Sequence, residues 1–278
     1  MRRYLHYRIH GNVADTDKKW LILIHGAGGS IATWNRQIEK LSEHFRLMLI
    51  DLRDHGLSKN LSPSYTRYNF DIVSTDILSV LEKEGISKAH FVTLSFGSVM
   101  MQALYERKPE LVDQIVFIGG IFNANWGIKG FVHLARFLNV FLSYSMMYRV
   151  FSFLLMPKKE HQFARRVYQQ QARRLGSKEY LKWLGLYSEF FYLLKSFHQQ
   201  PVDHPILILM GEDDYLFLPS ARTFSRTKEN VQLELIAKAG HICNIDQPTA
   251  TNTAILNFLL SQEPSAKTPA TTALSESN

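Results

Sequence analysis

Short apolar runs alternate along the chain with longer segments in which apolar residues recur every three or four positions. Runs of the first kind are typical of strands buried on both faces, and segments of the second kind of amphipathic helices. Their alternation predicts an α/β protein with a mostly parallel central sheet flanked by helices. The predicted strands are residues 4–10, 20–24, 46–51, 89–94, 114–119, 205–210 and 231–236, and the predicted helices include 32–45, 68–84, 99–105 and 249–261.

The alternation stops between residues 121 and 200, where the apolar segments have a helical pattern and none resembles a strand. We therefore predict a core made of residues 1–120 and 201–262, with a helical insertion over 121–200. Residues 263–278 are rich in Ser, Thr, Ala and Pro and lack apolar periodicity. Such a composition cannot bury enough apolar surface to fold, so we expect a disordered tail.

The insertion contains a very apolar segment, residues 131–156, in which the uncharged window 137–148 has twelve residues. Crossing about 30 Å of hydrocarbon takes roughly 20 residues, so we expect a buried or interfacial helix. Five aromatic residues recur at alternating four- and three-residue spacing, which predicts one stripe along a helix. This stripe either packs the insertion onto the core or lines an apolar substrate tunnel. The five residues are Phe137, Phe141, Tyr144, Tyr148 and Phe151.

The net charge of +7 is concentrated in the same insertion, which carries twelve Lys or Arg and three Glu. No helix-turn-helix, zinc or RNA-binding motif accompanies this charge, so we expect no nucleic-acid partner. An anionic membrane surface, an acidic acyl carrier protein or a solvated helix face would each account for it. The cations expected to dock such a partner are Lys158, Lys159, Arg165, Arg166, Arg173 and Arg174.

The single cysteine, Cys243, excludes an intrachain disulfide and favours a reducing compartment. The first ten residues lack the apolar core of a signal peptide. We therefore expect a cytoplasmic protein, either free or peripheral to a membrane.

Ser95 lies at the junction between the fourth predicted strand and the helix that follows it. A serine on such a sharp strand-to-helix turn projects its hydroxyl away from the sheet, as a nucleophile elbow does. To act as a nucleophile, serine needs a base within hydrogen-bond reach and a third group that orients the base. His241 follows the last predicted strand, and an acidic loop with Asp213 and Asp214 follows the strand before it. On the residues alone, either aspartate could orient the histidine.

This order of serine, acidic loop and histidine, each in its local context, resembles the α/β-hydrolase superfamily up to about residue 262. The resemblance implies an α/β-hydrolase fold in which residues 121–200 form a helical cap, or lid, over the active site. In the family the acidic loop commonly reads G-x-x-D before a proline, which here runs from Gly211 to Pro219 and matches Asp214 as the acid. The catalytic residues so implied are Ser95, Asp214 and His241.

The resemblance also implies an oxyanion hole, in which two backbone N–H groups stabilise charge on the carbonyl oxygen. The residues that would supply these groups are Ala27 and Phe96. His25 and His55 occur in family motifs in which their usual roles are structural. Two positions depart from the family pattern. Thr93 replaces the first glycine of G-x-S-x-G, and Asp54 interrupts the usual R-G-H-G turn.

The implied activity is that of a serine hydrolase that cleaves a carboxylic ester, thioester or lactone. The cap holds 18 of the chain's 34 Phe, Trp and Tyr, so we expect a small ester or acyl substrate with an apolar acyl group. No cofactor and no metal are expected, because the sequence has neither H-E-x-x-H nor a cysteine cluster. The pocket residues predicted from the sequence are Trp34, Phe137, Phe141 and Tyr144.

Other functions fit the same residues. Cofactor-free perhydrolases and carbon–carbon bond hydrolases of the superfamily share the triad. A ligand sensor with low turnover would keep the serine without rapid hydrolysis, and a membrane- or carrier-binding module would keep only vestigial catalysis. Fold alone does not choose among them.

Overall fold

Seven strands form one sheet in the computed structural model, which describes residues 3–12, 15, 17–123 and 126–261. In chain order they are β1 (Tyr7–His10), β2 (Trp20–Ile24), β3 (Arg46–Ile50), β4 (Ala89–Leu94), β5 (Val112–Ile118), β6 (Ile206–Gly211) and β7 (Val231–Ile236). Across the sheet the order is β1-β3-β2-β4-β5-β6-β7. β1 runs antiparallel to β3, and the other neighbouring pairs are parallel. The predicted fold class is confirmed.

The central strands are continuous apolar runs because helices cover both faces of the sheet. Every residue of β4 and β6 is buried, whereas the edge strand β7 buries only Val231 and Ile236. The carboxyl ends of β4, β6 and β7 lie at the same edge of this parallel sheet. The residues predicted to carry the chemistry follow these three strands, so the topology gathers them at one edge.

Eleven helices are present among the described residues, and the bounds of most core helices lie close to the predicted ones. In chain order they are α1 (Ile38–Ser42), α2 (Phe70–Lys83), α3 (Phe96–Arg107), α4 (Trp126–Phe141), α5 (Tyr144–Leu155), α6 (Gln162–Ala172), α7 (Ser177–Leu184), α8 (Tyr187–Gln199), α9 (Leu218–Arg226), α10 (Cys243–Asp246) and α11 (Pro248–Ser261). The start of α2 is fixed by Asn69, whose side chain accepts a hydrogen bond from the Ile72 N–H at 2.8 Å.

The predicted continuous helix over residues 32–45 is wrong. A short 3-10 turn, Ile31–Trp34, precedes the five-residue helix α1. Trp34 and Gln37 are both fully buried, and the Gln37 amide donates to the Asn244 carbonyl at 3.0 Å. Contacts with the distant α10 therefore override the helical period in this segment.

The predicted aromatic stripe does not lie on one helix. α4 ends at Phe141, and Ser143 caps the start of α5. The two halves of the stripe consequently point in different directions. Phe137 and Phe141 are exposed, whereas Tyr148 and Phe151 are buried.

Helices α4 to α8 occupy the chain between β5 and β6, where the sequence predicts a helical insertion. Within the described residues, every helix falls short of the length or the apolar character needed to cross a bilayer. The predicted disordered tail, residues 263–278, lies outside the described residues.

Thr93 provides a test of burial energetics in the central strand β4. Its side chain is fully buried, and its hydroxyl oxygen has no hydrogen-bond partner among the described residues. Because an unsatisfied buried hydroxyl is destabilising, we expect Thr93→Val to raise the free energy of unfolding by about 1 kcal/mol. Urea denaturation of the purified variant measures this change.

A matched control is Thr251→Val, since the equally buried Thr251 hydroxyl donates to the Cys243 carbonyl at 3.1 Å. That variant loses a satisfied hydrogen bond, so we expect it to be destabilised by about 1 kcal/mol. Equal destabilisation by the two substitutions would contradict the assignment of Thr93.

Candidate active site

The backbone of Ser95 is held in a turn between the last residue of β4 and the first residue of α3. Its φ of 53° lies in the left-handed region that residues with a side chain rarely adopt. The Ser95 N–H donates to the Ile118 carbonyl of β5 at 2.8 Å. A Cβ on Gly97 would lie 2.6 Å from the Ile24 carbonyl oxygen of β2, so only glycine fits there. The turn is therefore sharp, as predicted for a nucleophile elbow.

Ser95, His241 and Asp214 form a chain of hydrogen bonds. The Ser95 Oγ lies 2.7 Å from His241 Nε2, and His241 Nδ1 lies 2.6 Å from Asp214 Oδ2. The second carboxylate oxygen, Asp214 Oδ1, accepts from the Phe217 N–H at 3.1 Å. His241 and Asp214 are almost completely buried. A carboxylate at Nδ1 keeps the proton there and leaves the Nε2 lone pair free to accept the serine proton.

Asp213 turns away from His241 and contacts the cap instead. Its carboxylate lies 2.6 Å from Lys158 Nζ and 3.3 Å from His161 Nε2, and it accepts from the Tyr215 hydroxyl at 3.1 Å. Burial opposes ionisation of this carboxyl, but the hydrogen bonds from Lys158 and Tyr215, together with the charges of Lys158 and His161, outweigh it and lower the pKa of Asp213. Asp213 therefore does not orient the histidine, as the sequence alone would have allowed. It is instead a buried anion that ties the acidic loop to the cap.

The loop that carries His241 also contacts the cap. The His241 N–H donates to the carbonyl of Leu155, the last residue of α5, at 3.3 Å. The imidazole packs against Phe217, with 4.8 Å between ring centroids. A Cβ on Gly240 would lie 3.0 Å from His161, so the loop and the cap are in close contact. The position of the imidazole therefore depends on both the core and the cap.

The predicted oxyanion residues Ala27 and Phe96 line the same cavity as Ser95. Phe96 is the first residue of α3, where backbone N–H groups have no acceptor within the helix. The loop of Ala27 is shaped by Gly28, whose φ is +74° and whose N–H donates to His55 Nε2 at 3.0 Å. Ala27 and Phe96 therefore remain the predicted oxyanion donors, and both border the cavity at Ser95.

His55 and His25 are both neutral, and their rings hold the loop of Ala27 and Gly28 in place. Each donates from Nδ1 to a backbone carbonyl and accepts a backbone N–H at Nε2. Burial, with the neighbouring His25, lowers the pKa of His55 to about 3, and burial also lowers the pKa of His25. Both rings therefore remain acceptors at neutral pH, which agrees with the structural roles expected for them.

Asp54, the departure from the family turn, has a structural explanation. Its φ of 64° is a conformation that Asp tolerates better than most residues, and its carboxylate accepts from the Tyr68 hydroxyl. The Tyr68 ring packs on Trp183 of α7 with 5.8 Å between centroids. Trp183 in turn packs edge-on against His55 at 4.9 Å. Asp54 thus supports a contact between the core turn and the cap.

A cavity of about 210 Å³ lies between the cap and the core and reaches Ser95. Its walls are almost entirely apolar or aromatic. A Cβ on Gly28 would lie 2.6 Å from the Tyr148 ring, so α5 packs directly on the loop of Ala27 and Gly28. The lining residues contributed by the cap are Ile121, Ile128, Phe131, Val132, Ala135, Tyr148, Phe151, Leu155, Tyr168, Leu175, Tyr180, Trp183, Leu184, Leu186, Tyr187 and Phe190.

The four pocket residues predicted from the sequence lie elsewhere. Trp34 is buried in the core, and the Tyr144 hydroxyl donates to the Ala172 carbonyl. Phe137 and Phe141 face outwards on α4. The cavity is lined by the opposite face of α4 and α5. The predicted stripe fails because the helix is interrupted between Phe141 and Tyr144. The apolar positions 128, 131, 132 and 135 have helical spacing, which was the signal available in the sequence.

Comparisons with known proteins agree with this architecture. A family model described as alpha/beta hydrolase fold matches residues 19–248. The protein named "Putative carbamate hydrolase RutD" from Agrobacterium fabrum is 28% identical over 269 residues, which cover 92% of this chain and 98% of that protein. "Carboxylesterase YbfK" from Bacillus subtilis is 25% identical, with 87% of this chain and 81% of that protein covered.

Among solved structures, the enol-lactonase from Burkholderia xenovorans is similar with a TM-score of 0.77. The alignment covers 92% of this chain and 96% of that chain at 20% sequence identity. At this level of identity, the likeness establishes a shared fold.

Replacing His55 with Gln tests whether the neutral imidazole stabilises the loop of Ala27 and Gly28. The pKa of His55 is about 3 in the folded protein against an ordinary 6.5, so only the unfolded chain binds the proton between these values. The stability due to this group is complete above pH 6.5. It falls by about 1.4 kcal/mol per unit as the pH decreases towards 3.

We therefore expect the stability difference between wild type and His55→Gln, measured by urea unfolding, to shrink with that slope below pH 6.5. The control is His44→Gln, because the His44 side chain is exposed. Stability curves of wild type and His55→Gln that run parallel between pH 6.5 and 3 would refute the assignment.

Proposed function

Because the chain belongs to the alpha/beta hydrolase fold family, we propose that it hydrolyses carboxylic esters with an apolar acyl group through an acyl-enzyme on Ser95. The observation that carries this proposal is the hydrogen-bonded chain from Ser95 through His241 to Asp214, which opens into an apolar cavity. Relatives described as carbamate hydrolase and carboxylesterase support hydrolysis as the reaction class.

In the first half of the reaction, the Ser95 Oγ attacks the ester carbonyl carbon while His241 Nε2 takes its proton. Asp214 holds Nδ1 and stabilises the imidazolium that forms. The carbonyl oxygen becomes an oxyanion, which accepts hydrogen bonds from the N–H groups of Ala27 and Phe96. The alcohol then leaves with the proton from Nε2, and the acyl group stays on Ser95.

In the second half, water attacks the acyl carbon and gives a proton to His241 Nε2. The ester bond to Ser95 breaks, the serine regains its proton and the carboxylic acid leaves. Each half uses the same base and the same oxyanion donors, so one arrangement of side chains serves both steps.

The acyl group is assigned as apolar from the composition of the cavity wall. Charged side chains do not contribute to the lining among the described residues, and its polar groups are confined to His55, Ser95, Trp183 and the tyrosines. Burying an acyl chain there gains about 0.8 kcal/mol per methylene, which favours a hydrocarbon chain over a charged one.

Ser95→Ala tests the mechanism. We expect kcat for p-nitrophenyl esters to fall by about five orders of magnitude, because the members of such a triad act as a unit. A fluorophosphonate probe should label the wild type and the control Ser79→Ala, which changes a serine on the exposed side of α2, but not Ser95→Ala. Activity retained in Ser95→Ala would exclude the acyl-enzyme. Labelling of the wild type without turnover of any ester would favour the low-turnover sensor.

Ala135→Phe tests the acyl site. Ala135 is a small residue of α4 that lines the cavity, whereas its neighbour Leu134 points outwards. We expect Ala135→Phe to lower kcat/KM for long-chain p-nitrophenyl esters by roughly tenfold or more and to spare the acetyl ester, since the new ring fills the cavity. Leu134→Phe is the matched control. An equal loss for all chain lengths in Ala135→Phe would contradict the assignment of the cavity to the acyl chain.

A further inference from the structure

The outer side of the cap is unusually apolar. Nine of the fifteen large apolar side chains that are exposed among the described residues lie on α4 or α5. On α4, Trp126 is 90% exposed, Phe137 62% and Phe141 70%. The nine residues are Trp126, Leu134, Phe137, Val140, Phe141, Met146, Val150, Phe153 and Leu154.

These residues form one face on each helix. At 100° per residue, Trp126, Phe137 and Phe141 of α4 fall within 60° of one another. On α5, Met146, Val150 and Phe153 form a face of the same width. A helix on the surface of a water-soluble protein normally carries polar residues on its solvent-facing side. On α4 and α5 that side is apolar. Contiguous apolar surface of this kind marks a site of interaction.

The opposite faces of the same two helices line the cavity at Ser95. Phe131 and Ala135 of α4, and Phe151 and Leu155 of α5, belong to the cavity wall. The pair α4–α5 is therefore a wall one helix thick, about 10 Å, between the cavity and the exterior. A hydrocarbon chain held on the outer side would be separated from Ser95 by this wall alone.

The charge of this wall is positive. Residues 114–159 contain neither Asp nor Glu. The side chains of Lys129 and Arg149 are exposed, each at the edge of the apolar face of its helix. Long basic side chains beside an apolar helical face with Trp and Phe are typical of helices that lie in the interface of an anionic bilayer.

Of the six basic residues predicted to dock a partner, Arg165 and Lys158 are already engaged within the protein. The Arg165 guanidinium is buried and donates to the carbonyls of Met156 and Lys158. The Lys158 ammonium is paired with Asp213. Arg165 thus joins segments within the cap, and Lys158 ties the cap to the acidic loop. The centre of the candidate surface therefore lies on the α4–α5 pair.

We propose that the outer face of α4 and α5 docks the protein on an anionic lipid bilayer, with Trp126, Phe137 and Phe141 among the acyl chains and Lys129 and Arg149 at the headgroups. The protein lies on the bilayer and does not cross it. Docking itself is independent of hydrolysis. Its consequence, the delivery of membrane-dissolved esters to Ser95, rests on the proposed function.

The test is co-sedimentation with vesicles of phosphatidylcholine alone and of an equimolar mixture with phosphatidylglycerol. We expect the full-length wild type to bind the anionic vesicles, with a blue shift of fluorescence that Trp126→Phe removes. The double variant Phe137→Ser/Phe141→Ser should weaken partitioning by about tenfold or more, because two exposed rings lose their apolar contact. Raising the ionic strength should weaken it as well, through screening of the basic residues.

The matched control is Tyr192→Ser, which removes an equally exposed aromatic ring (74%) from α8. It should bind vesicles like the wild type, and both variants should keep wild-type kcat on p-nitrophenyl acetate, since none of the three rings lines the cavity. Failure of the wild type to bind anionic vesicles, or binding unchanged in the double variant, would overturn the proposal.

A second copy of the chain is the competing occupant of this face. In that case sedimentation velocity without lipid would show a dimer that Phe137→Ser/Phe141→Ser dissociates, and vesicles would not bind. Failure of the proposed hydrolysis can be distinguished from failure of docking, because Ser95→Ala should bind vesicles like the wild type. Vesicle binding by a protein that hydrolyses no ester would refute the function and leave the docking intact.

Discussion

Holding Ser95 in a left-handed backbone conformation constrains all the structure around it. Such a conformation costs about 1–3 kcal/mol and persists only where the surroundings determine it fully. Here the Ser95 N–H is bonded to Ile118 of β5, and α3 starts against the Ile24 carbonyl of β2, where Gly97 leaves the necessary space. The three adjacent strands β2, β4 and β5 thus fix the direction of the hydroxyl, and the rest of the site is arranged relative to it.

The fold, Ser95 and His241 could be predicted because their signals are local, whereas Asp214 was implied by the family pattern. Ser95, Asp214 and His241 each follow an apolar run, and the parallel sheet brings the ends of these runs to one edge. The choice between Asp213 and Asp214 could not be made from the residues alone. Asp213 is held away from His241 by Lys158, a residue more than 50 positions earlier in the chain, and no local pattern reports such a contact.

The lining of the cavity was not predictable from aromatic spacing, and the reason is a single helix boundary. The period through Phe137, Phe141 and Tyr144 continues across residues 142 and 143, but the helix does not. Ser143 is a residue type that often caps a helix, but serines are also common elsewhere. Its presence was therefore a weaker indication of a helix start than the regular aromatic spacing was of one continuous helix. After the break, the two helices turn one apolar face to Ser95 and another to the exterior. Both helices are apolar on two sides, one facing the cavity and one facing the exterior. The aromatic stripe alone predicted a single apolar side.

The hydrogen bond from the His241 N–H to the Leu155 carbonyl connects the cap directly to the residue that carries the imidazole. A displacement of α5 from the core would break this bond and remove one of the contacts that position the imidazole. Because coupling free energies are reciprocal, an interaction that fixes this loop also favours the observed position of α5, and an interaction that fixes α5 favours the observed position of the loop. The position of α5 and the position of the imidazole therefore depend on each other, so that a contact made with one of them influences both.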